Sequence, residues 1–472
     1  MKTRFLALTI VLLIANLVKA QYISEVLEYK PAPGQLTNSA PWGIPNSANS
    51  IVGVITGSMC LGAFGGYVIF KFENPVENHP ENPFGVDFTI FGNPLNNFAE
   101  QGIVSVMKDE NGNGLPDDTW YELAGSDYFF SSTIKGYEVT YINPNQTTAA
   151  NVPWADNYGN SGFVLANSFH DQPYYPLADL FPDVNSTEYT LSGTLVADEV
   201  MQTTASNFDS YRKAFGYADN QIRGTAPYTV PDNPYTPEAE NSGGDAFDIS
   251  WAVNEYGEYV DLDVIHFVKV HTAVLADAGW LGEISTEITG AVAVTPNIPI
   301  TGVVDMVVIK SLPDTIKGES FQLEAFAFHK GRRDLDKTIV WTTNLEGAWV
   351  NSDNLLTYTT SGEIALTASI ADMPEIMATA STVLVHNGNS SSILGSQRSN
   401  ITLYPNPASD HIFIKGAEHA SIEIYSITGN RILQKLDYSD NQPLSIANLA
   451  NGVYIIKVQA QNLSKAVRFI KK

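Results

Sequence analysis

The sequence has one cysteine, Cys60, among its 472 residues. A single thiol excludes an intrachain disulfide framework and any zinc site built from several cysteines. We expect Cys60 to be a small buried apolar side chain. Basic residues are also scarce, with 26 Lys and Arg against 51 Asp and Glu. Most of the acidic excess lies within residues 21–300, and such a surface repels phosphate backbones, so the sequence argues against a nucleic-acid partner.

Several catalytic signatures are missing as well. The sequence has no His-Glu-x-x-His pair, no Gly-x-Ser-x-Gly elbow and no phosphate-binding Gly-Lys-Ser/Thr loop. Metalloprotease, lipase and nucleotide-binding mechanisms therefore lack their starting residues. His266 and His271 are five positions apart on a predicted strand, so they face opposite sides and cannot bind one metal ion together. We expect His266 to be a core histidine.

Long apolar runs are absent except at the start of the chain. The run from Phe5 to Val18 spans only about 14 residues, whereas a membrane helix needs about 20. Lys2 and Arg4 precede the run and the small residue Ala20 closes it. This pattern predicts a secretory signal peptide at residues 1–20, followed by a mature chain without a transmembrane segment.

The composition that remains is typical of β-proteins. Charged residues make up only 16% of the chain, which contains 35 Gly, 25 Pro, 22 Tyr and 22 Phe. Short apolar runs alternate with clusters of turn-forming residues. This pattern predicts a mostly β, multi-domain chain with a large β-sandwich-like module at 21–295. Apolar residues at every second position predict one strand over 260–270, and one short helix is expected around 206–215.

Two further units follow the large module. Residues 303–387 contain six or seven short predicted strands with Trp341 on one of them, and they resemble a bacterial immunoglobulin-like domain of the kind that acts as a spacer. The polar residues 388–399 are predicted to form a flexible linker. A small β-sandwich is expected at 400–472.

The last unit contains the most specific pattern of the sequence. It opens with Tyr404-Pro405-Asn406-Pro407, continues through a turn at Gly429 and a strand containing Gly452 and Tyr454, and ends in basic residues. It resembles the type A C-terminal sorting domain of the Bacteroidota type IX secretion system. The resemblance implies transport across the outer membrane by that machinery, then removal of the domain and release or surface attachment. The alternative is a terminal β-sandwich with no targeting role.

The large module has a second, weaker resemblance. Segments such as 65–72, 87–93, 247–253 and 279–283 resemble an uncharacterised group of Bacteroidota cell-surface proteins. Members accompany outer-membrane receptors for nutrient uptake, including uptake of corrinoids. The resemblance implies a binding protein that presents a glycan or another nutrient to such a receptor, without an agreed activity.

One acidic loop has the spacing of a calcium site. Calcium prefers six to eight oxygen ligands, and calcium loops supply them from alternate positions. The pattern predicts a structural Ca²⁺ site, with Asp118 or Glu122 as a final ligand. An Asn-Gly turn between two strands is the alternative, because the same residues favour it. The remaining predicted ligands, at positions one, three, five, seven and nine, are Asp109, Asn111, Asn113, the Leu115 carbonyl and Asp117.

Aromatic and acidic residues supply the other candidates. Aromatic side chains can stack on a sugar or a flat cofactor, although most such residues fill a β-sandwich core. A glycan hydrolase would need two carboxylates about 5–10 Å apart, but the module is rich enough in acids to contain such pairs by chance. A binding protein, a hydrolase and a structural or adhesive protein all stay open. The candidate platform residues are Trp154, Phe169, Tyr174, Tyr175 and Tyr217, and the candidate acids are Asp87, Asp245, Asp248, Asp261 and Asp263.

Overall fold

A computed structural model describes most of the chain. Strands account for 47% and helix for 2% of the residues, which confirms the mostly β, multi-domain prediction. The predicted signal peptide (1–20) and linker (388–399) lie outside the described residues. The structure describes residues 21–204, 207–224, 232–236, 243–296, 299–386, 402–406, 408–415, 417, 419–426, 431–439, 442–460 and 463–472.

The N-terminal region is built from antiparallel strands and very little helix. A short helix, α1, covers Ser47–Ser50, and two 3₁₀ turns cover Ile249–Trp251 and Gly279–Leu281. Its described strands are β1 (Gln21–Lys30), β2 (Met59–Cys60), β3 (Tyr67–Phe72), β4 (Val76–Glu77), β5 (Phe88–Phe91), β6 (Gly102–Met107), β7 (Trp120–Leu123), β8 (Ile134–Ile142), β9 (Val152–Asp156), β10 (Ser161–Val164), β11 (Glu188–Leu195), β12 (Val200–Thr204), β13 (Asn207–Ser210), β14 (Asp245–Phe247), β15 (Ala252–Val253), β16 (Val264–Ile265), β17 (Phe267–Thr272), β18 (Glu287–Ile288) and β19 (Gly290–Ala293).

Two sheets dominate this region. A nine-stranded sheet has the order β14-β5-β19-β1-β3-β17-β6-β7-β15, and a four-stranded sheet has the order β10-β9-β8-β11. Val68, Phe70, Val104 and Val268 of the large sheet are fully buried in the main core. The four-stranded sheet packs around a second core that contains Phe64 and Tyr141. The alternation of apolar residues along each strand supplies both buried faces.

Two local predictions differ from the structure. The single strand expected over 260–270 is interrupted at His266: β16 pairs with β4, and β17 continues in the nine-stranded sheet. His266 is only half-buried and its Nδ1 accepts the Asp109 N–H at 3.2 Å, so it is not a core histidine. His271 is buried instead. The helix expected around 206–215 is wrong, because β13 lies there and pairs with β12.

The central region forms three small sheets. Their orders are β20-β23-β24, β21-β29-β28-β25 and β22-β27-β26, and β21 pairs with β29 in parallel. The strands are β20 (Asp305–Ile309), β21 (Thr315–Gly318), β22 (Ser320–Gln322), β23 (Ala325–His329), β24 (Arg332–Arg333), β25 (Ile339–Thr343), β26 (Ala348–Val350), β27 (Leu355–Tyr358), β28 (Gly362–Ile370) and β29 (Met373–His386).

The C-terminal region forms two sheets around a core of its own. Their orders are β30-β31-β34 and β33-β32-β35-β36, and Ile412, Ile424 and Phe469 are fully buried between them. The strands are β30 (Thr402–Tyr404), β31 (His411–Lys415), β32 (Ala420–Ser426), β33 (Arg431–Tyr438), β34 (Leu444–Ser445), β35 (Gly452–Ala460) and β36 (Leu463–Lys471).

Candidate functional site

The acidic loop connects β6 and β7, and Asp109 organises its first half. One carboxylate oxygen of Asp109 accepts the N–H groups of Gly112 at 2.8 Å and Asn113 at 3.1 Å, and the other accepts that of Gly114 at 2.9 Å. Gly112 and Gly114 have φ of 71° and 75°, a conformation that favours glycine. The sequence folds into a tight loop here because backbone donors surround one carboxylate.

The second half of the loop closes onto the first. Asn113 Nδ2 donates to both Asp117 oxygens, at 3.2 and 3.0 Å, and Asn111 Nδ2 donates to Asp117 and to Asp118 at 3.2 Å. Leu115 is exposed, and its N–H donates to the Asn113 side chain at 2.7 Å. The structure therefore brings the predicted ligand side chains together in one exposed loop.

Glu122 lies apart from that loop. Its carboxylate accepts the hydroxyl of Thr194 at 2.6 Å. Burial raises the pKa of Glu122 to about 7. Among the two candidates for a final ligand, only Asp118 belongs to the loop network, where it accepts the N–H of Glu110 at 2.9 Å.

Three of the predicted platform aromatics are core residues. Tyr174, Tyr175 and Tyr217 are only 1%, 2% and 2% exposed. The hydroxyl of Tyr175 donates to the Asn185 carbonyl at 2.6 Å, and that of Tyr217 accepts the Asp127 N–H at 3.2 Å. The platform prediction is therefore wrong for these three tyrosines: their rings pack in the interior and their hydroxyls hold backbone groups, as is usual for buried tyrosine.

Two of the five carboxylates singled out in the sequence interact, because burial and the charge of Asp248 raise the pKa of Asp87. Asp261 and Asp263 are exposed and lie 3.5 Å from Arg332 and 2.6 Å from Lys108, respectively. Asp87, Asp245 and Asp248 are buried, and they accept backbone N–H groups such as those of Ile249, Asn220 and Ser250. Asp261 and Asp263 therefore pair with surface cations, and Asp87, Asp245 and Asp248 hold backbone N–H groups.

Trp154, the fourth predicted platform residue, lines a pocket of about 420 Å³. We call it the indole pocket. Its walls are β9 and β10, the hairpin 275–283, and two side chains of the C-terminal region, Lys457 and Val467. Trp154 lies opposite Gly162 in the pairing of β9 with β10. A Cβ atom at Gly162 would lie 2.5 Å from the indole, so glycine is required for the ring to lie across the strand.

Three of the described residues that line the indole pocket have a buried polar atom without a hydrogen-bond partner. Among the described residues, seven buried side-chain polar atoms have no hydrogen-bond partner. Three of them belong to residues that line this pocket: Ser161 Oγ, Asp277 Oδ2 and Glu283 Oε2. We call these atoms the pocket oxygens. A buried polar atom without a partner costs about 1–3 kcal/mol, so a ligand that bonds to these atoms would recover stability.

Asp277 and Glu283 lie opposite each other at the base of their hairpin. Burial, together with the nearby charges of Glu100 and Asp277, raises the pKa of Glu283 to about 8, although the N–H of Gln35 opposes the rise. Burial also raises the pKa of Asp277, against the Gly279 N–H and the charge of Lys457. The pocket therefore offers one carboxyl group that keeps its proton near neutral pH.

A hydrogen-bonded chain fixes the hairpin. The N–H of Gln35 donates to Glu283 Oε1 at 2.9 Å, and its side-chain amide donates to the Leu281 carbonyl at 2.5 Å. Asn167 donates to Gln35 Oε1 at 2.6 Å and accepts the N–H of Phe169 at 2.9 Å. Phe169 is 66% exposed and meets the half-exposed Trp280 edge to face at 6.0 Å. These contacts place the exposed ring of Phe169 against Trp280, which lies on the hairpin that also forms the pocket wall.

One other acidic group could hold a metal ion within the described residues. One oxygen each of Glu100, Asp219 and Glu287 lies within 4.8 Å of the others. Burial raises the pKa of all three carboxyl groups, that of Glu100 to about 7. A hydrogen bond between Glu100 and Glu287 lowers the pKa of the first and raises that of the second. A shared proton therefore explains the close approach of these carboxyl groups.

Sequence reasoning missed Ser161, Asp277 and Glu283. The only signal was the segment 279–283, which was part of a family resemblance but indicated no chemical role for Glu283. Spacing could not find them, because Ser161 and Glu283 are distant in the chain and meet only through the packing of β10 against the hairpin.

The predicted sorting motif has clear structural roles. Tyr404 stacks on Phe413 at 5.7 Å, and Asn406 accepts the Ile470 N–H at 2.9 Å. Gly452 begins β35, and Tyr454 stacks on Phe469 at 5.5 Å. Pro407 and Gly429 lie outside the described residues.

Solved structures resemble the chain only distantly. Three tandem extracellular domains of Drosophila OTK show a TM-score of 0.20 at 10% identity, covering 46% of this chain and 82% of that one. Dimeric latent PorU from Porphyromonas gingivalis shows a TM-score of 0.17 at 11% identity, covering 72% of this chain and 30% of that one. Such low scores carry no argument about function. No curated protein matches the chain.

The C-terminal region has a specific match. Residues 402–472 match the family described as a secretion system C-terminal sorting domain. Among the described residues, no helix has the length and apolar character needed to cross a membrane. The chain is therefore a cargo of the type IX secretion system, and it is secreted or placed on the outer cell surface.

Proposed function

We propose that the chain is a non-enzymatic surface binding protein that holds a saccharide in the indole pocket and presents it to an outer-membrane uptake receptor. In this proposal residues 21–295 bind the ligand, 303–387 support that module, and 400–472 serve export after the signal peptide has directed the chain across the inner membrane. The observation that carries the proposal is that Ser161, Asp277 and Glu283, which line the pocket with Trp154, each have a buried polar atom without a hydrogen-bond partner.

A saccharide matches this set of groups. Each sugar hydroxyl can donate and accept one hydrogen bond, which suits a serine hydroxyl, a protonated carboxyl and a carboxylate together. The apolar face of a sugar ring suits an indole. A volume of about 420 Å³ is within the range of small-ligand pockets and favours a short saccharide over a corrinoid. The resemblance of this module to surface proteins that accompany uptake receptors supports the same role.

A glycan array probed with the exported chain tests this proposal. We expect retention of one saccharide class, and at least a tenfold loss of affinity in Trp154→Ala and in Glu283→Gln, because each variant removes about one ligand contact of 1.4 kcal/mol or more. Trp349→Ala is the matched control, since Trp349 is 49% exposed on β26 of another sheet. Binding that survives both pocket variants would contradict the proposal.

A hydrolase is the second candidate, and one observation favours it. Asp277 and Glu283 lie directly opposite each other and line the same pocket, and Glu283 has the raised pKa that a general acid needs. Release of reducing sugar from a bound oligosaccharide, lost in both Asp277→Asn and Glu283→Gln, would establish hydrolysis. If the oligosaccharide is bound but stays intact, the hydrolase candidate is excluded and the binding role remains.

We also propose that the loop 109–118 holds a structural Ca²⁺ ion. Its support is the convergence of Asp109, Asn111, Asn113 and Asp117 in one network. Calcium at 100 times its Kd would stabilise the native state by about 2.7 kcal/mol. We expect the unfolding midpoint to rise by several degrees over chelator in the parent and in Asp261→Ala, but not in Asp109→Ala. Equal midpoints with calcium and chelator in the parent would identify an ordinary turn.

A further inference from the structure

We propose that the saccharide bound in the indole pocket carries a protonated amino group, and that Lys457 of the C-terminal region occupies the place of that group while the region is docked. The inference rests on the proposed binding function and adds to it a ligand class and a competitor within the chain. It is carried by the position of Lys457, which lines the same pocket as Asp277 and Glu283.

The C-terminal region reaches the pocket through a small contact. Tyr425 of β32 meets Phe163 of β10 edge to face, with ring centroids 5.8 Å apart. Val467 of β36 and Lys457 of β35 complete the pocket wall beside that contact. The main buried cluster of this region contains only its own residues, between 408 and 469, with Val467 packed against it, so the region has a core that does not depend on the N-terminal module.

The charges in the pocket are unequal. Lys457 is the one cationic side chain among the described residues that line it, alongside the carboxyl groups of Asp277 and Glu283. Its charge acts on Asp277, where it opposes the increase in pKa that burial causes. When the C-terminal region leaves, the acidic N-terminal module retains both carboxyl groups and loses their nearby cation.

An amino sugar would supply the positive charge that Lys457 supplies beside the carboxyl groups. Its ammonium group supplies three donors, as the lysine ammonium does, and its ring adds hydroxyls for Ser161 and Glu283 and an apolar face for Trp154. Hydrogen bonds to charged groups are roughly twice as strong as those between neutral groups. A neutral sugar of the same shape lacks that contribution, so the two should bind with different affinities.

The test compares two probes that share the same sugar backbone: the amino groups are free and charged in one, and acetylated and neutral in the other. Glucosamine trimer and N-acetylglucosamine trimer are titrated calorimetrically into the chain of residues 21–472, with its C-terminal region retained, its Lys457→Gln and Asp277→Asn variants, and Lys435→Gln, a control for an exposed lysine on β33. We expect Lys457→Gln to bind the glucosamine trimer about tenfold more tightly than the parent, and Asp277→Asn about tenfold less tightly. The N-acetylated trimer should change by less than twofold in either variant.

Other outcomes separate the two proposals. If both trimers bind equally in every variant and binding still depends on Trp154, the amino-sugar inference is overturned while the proposed binding function stands. If Lys457→Gln leaves the affinity for glucosamine trimer unchanged, the competitor role is overturned. A lysine-containing peptide that binds more tightly than either trimer would show that the cation belongs to a polypeptide. Failure of every saccharide to bind would overturn both proposals.

Discussion

The two junctions between the regions of this chain are built differently. At the first, Val308 and Phe328 of the central region belong to the same buried cluster as Trp251 of the N-terminal region. The Trp251 indole donates to the Lys330 carbonyl at 2.8 Å, and Ser131 donates to Glu324 at 2.9 and 2.5 Å. The central region therefore shares a core with its neighbour, which differs from the free-standing spacer expected from sequence.

At the second junction, the contact is small and lines a pocket. Phe163 meets Tyr425 there, and Lys457 and Val467 complete the wall of the indole pocket. A shared core joins two regions into one folding unit, whereas a surface contact leaves them separable. The N-terminal and central regions therefore share part of one core, although the central region also has a cluster of its own, whereas the sorting domain has a separate core.

The largest expected effect is at the first junction. Trp251→Ala removes a fully buried ring that packs on Phe215 and should reduce the free energy of unfolding by about 3–5 kcal/mol. Because the core is shared, the N-terminal and central regions should lose stability together in one calorimetric transition. Trp349→Ala, with an exposed ring in the central region, should change stability far less. Loss of stability in one region alone would show that the cores are independent.

A smaller effect is expected at the pocket. The native pKa of Glu283, about 8, exceeds the unfolded value of about 4.3. Its contribution to stability is therefore complete below pH of about 4 and is lost as pH rises to about 8. Glu283→Gln keeps the acceptor for Gln35 but cannot ionise. The variant should match the parent near pH 4 and exceed it by about 1–3 kcal/mol at pH 8 in urea unfolding.

The reverse pH dependence would contradict this account of Glu283. If the free energy of unfolding of the parent increases relative to that of Glu283→Gln as pH rises, a cation stabilises the native Glu283 carboxylate. Asp261→Asn, at an exposed acid, is the control and should give the same difference from the parent at both pH values.

The smallest effect should follow removal of the C-terminal region. A chain ending at residue 386 keeps every member of the core clusters that lie between residues 23 and 384. We expect its main unfolding midpoint to stay within about 1 °C of the parent, because no described residue of the C-terminal region belongs to these clusters. A decrease of several degrees would show that the sorting domain belongs to the core of the molecule.

The sequence predicts features that depend on neighbours in the chain. The acidic loop is one example, since Asp109 and Asp117 lie eight positions apart and meet in one network. Strand alternation likewise predicts the mostly β fold, and the Tyr404 motif predicts the sorting domain that residues 402–472 match.

Features that depend on tertiary packing are invisible in the sequence. The pocket joins Ser161, Glu283 and Lys457 from three separate segments. Tyr174 and Tyr217 are typical of a binding platform by composition, yet they are buried. Only the direction of each side chain in the folded sheets decides between a ligand platform and a core, and one residue of register changes that direction.

Hydrogen–deuterium exchange tests most directly whether the indole pocket is the saccharide site. It is measured on the chain of residues 21–472, with and without the saccharide that a glycan array selects. We expect added protection confined to β9, β10 and the hairpin 275–283, since these segments form the indole pocket. Protection that appears elsewhere in the chain, with none in these segments, would contradict it.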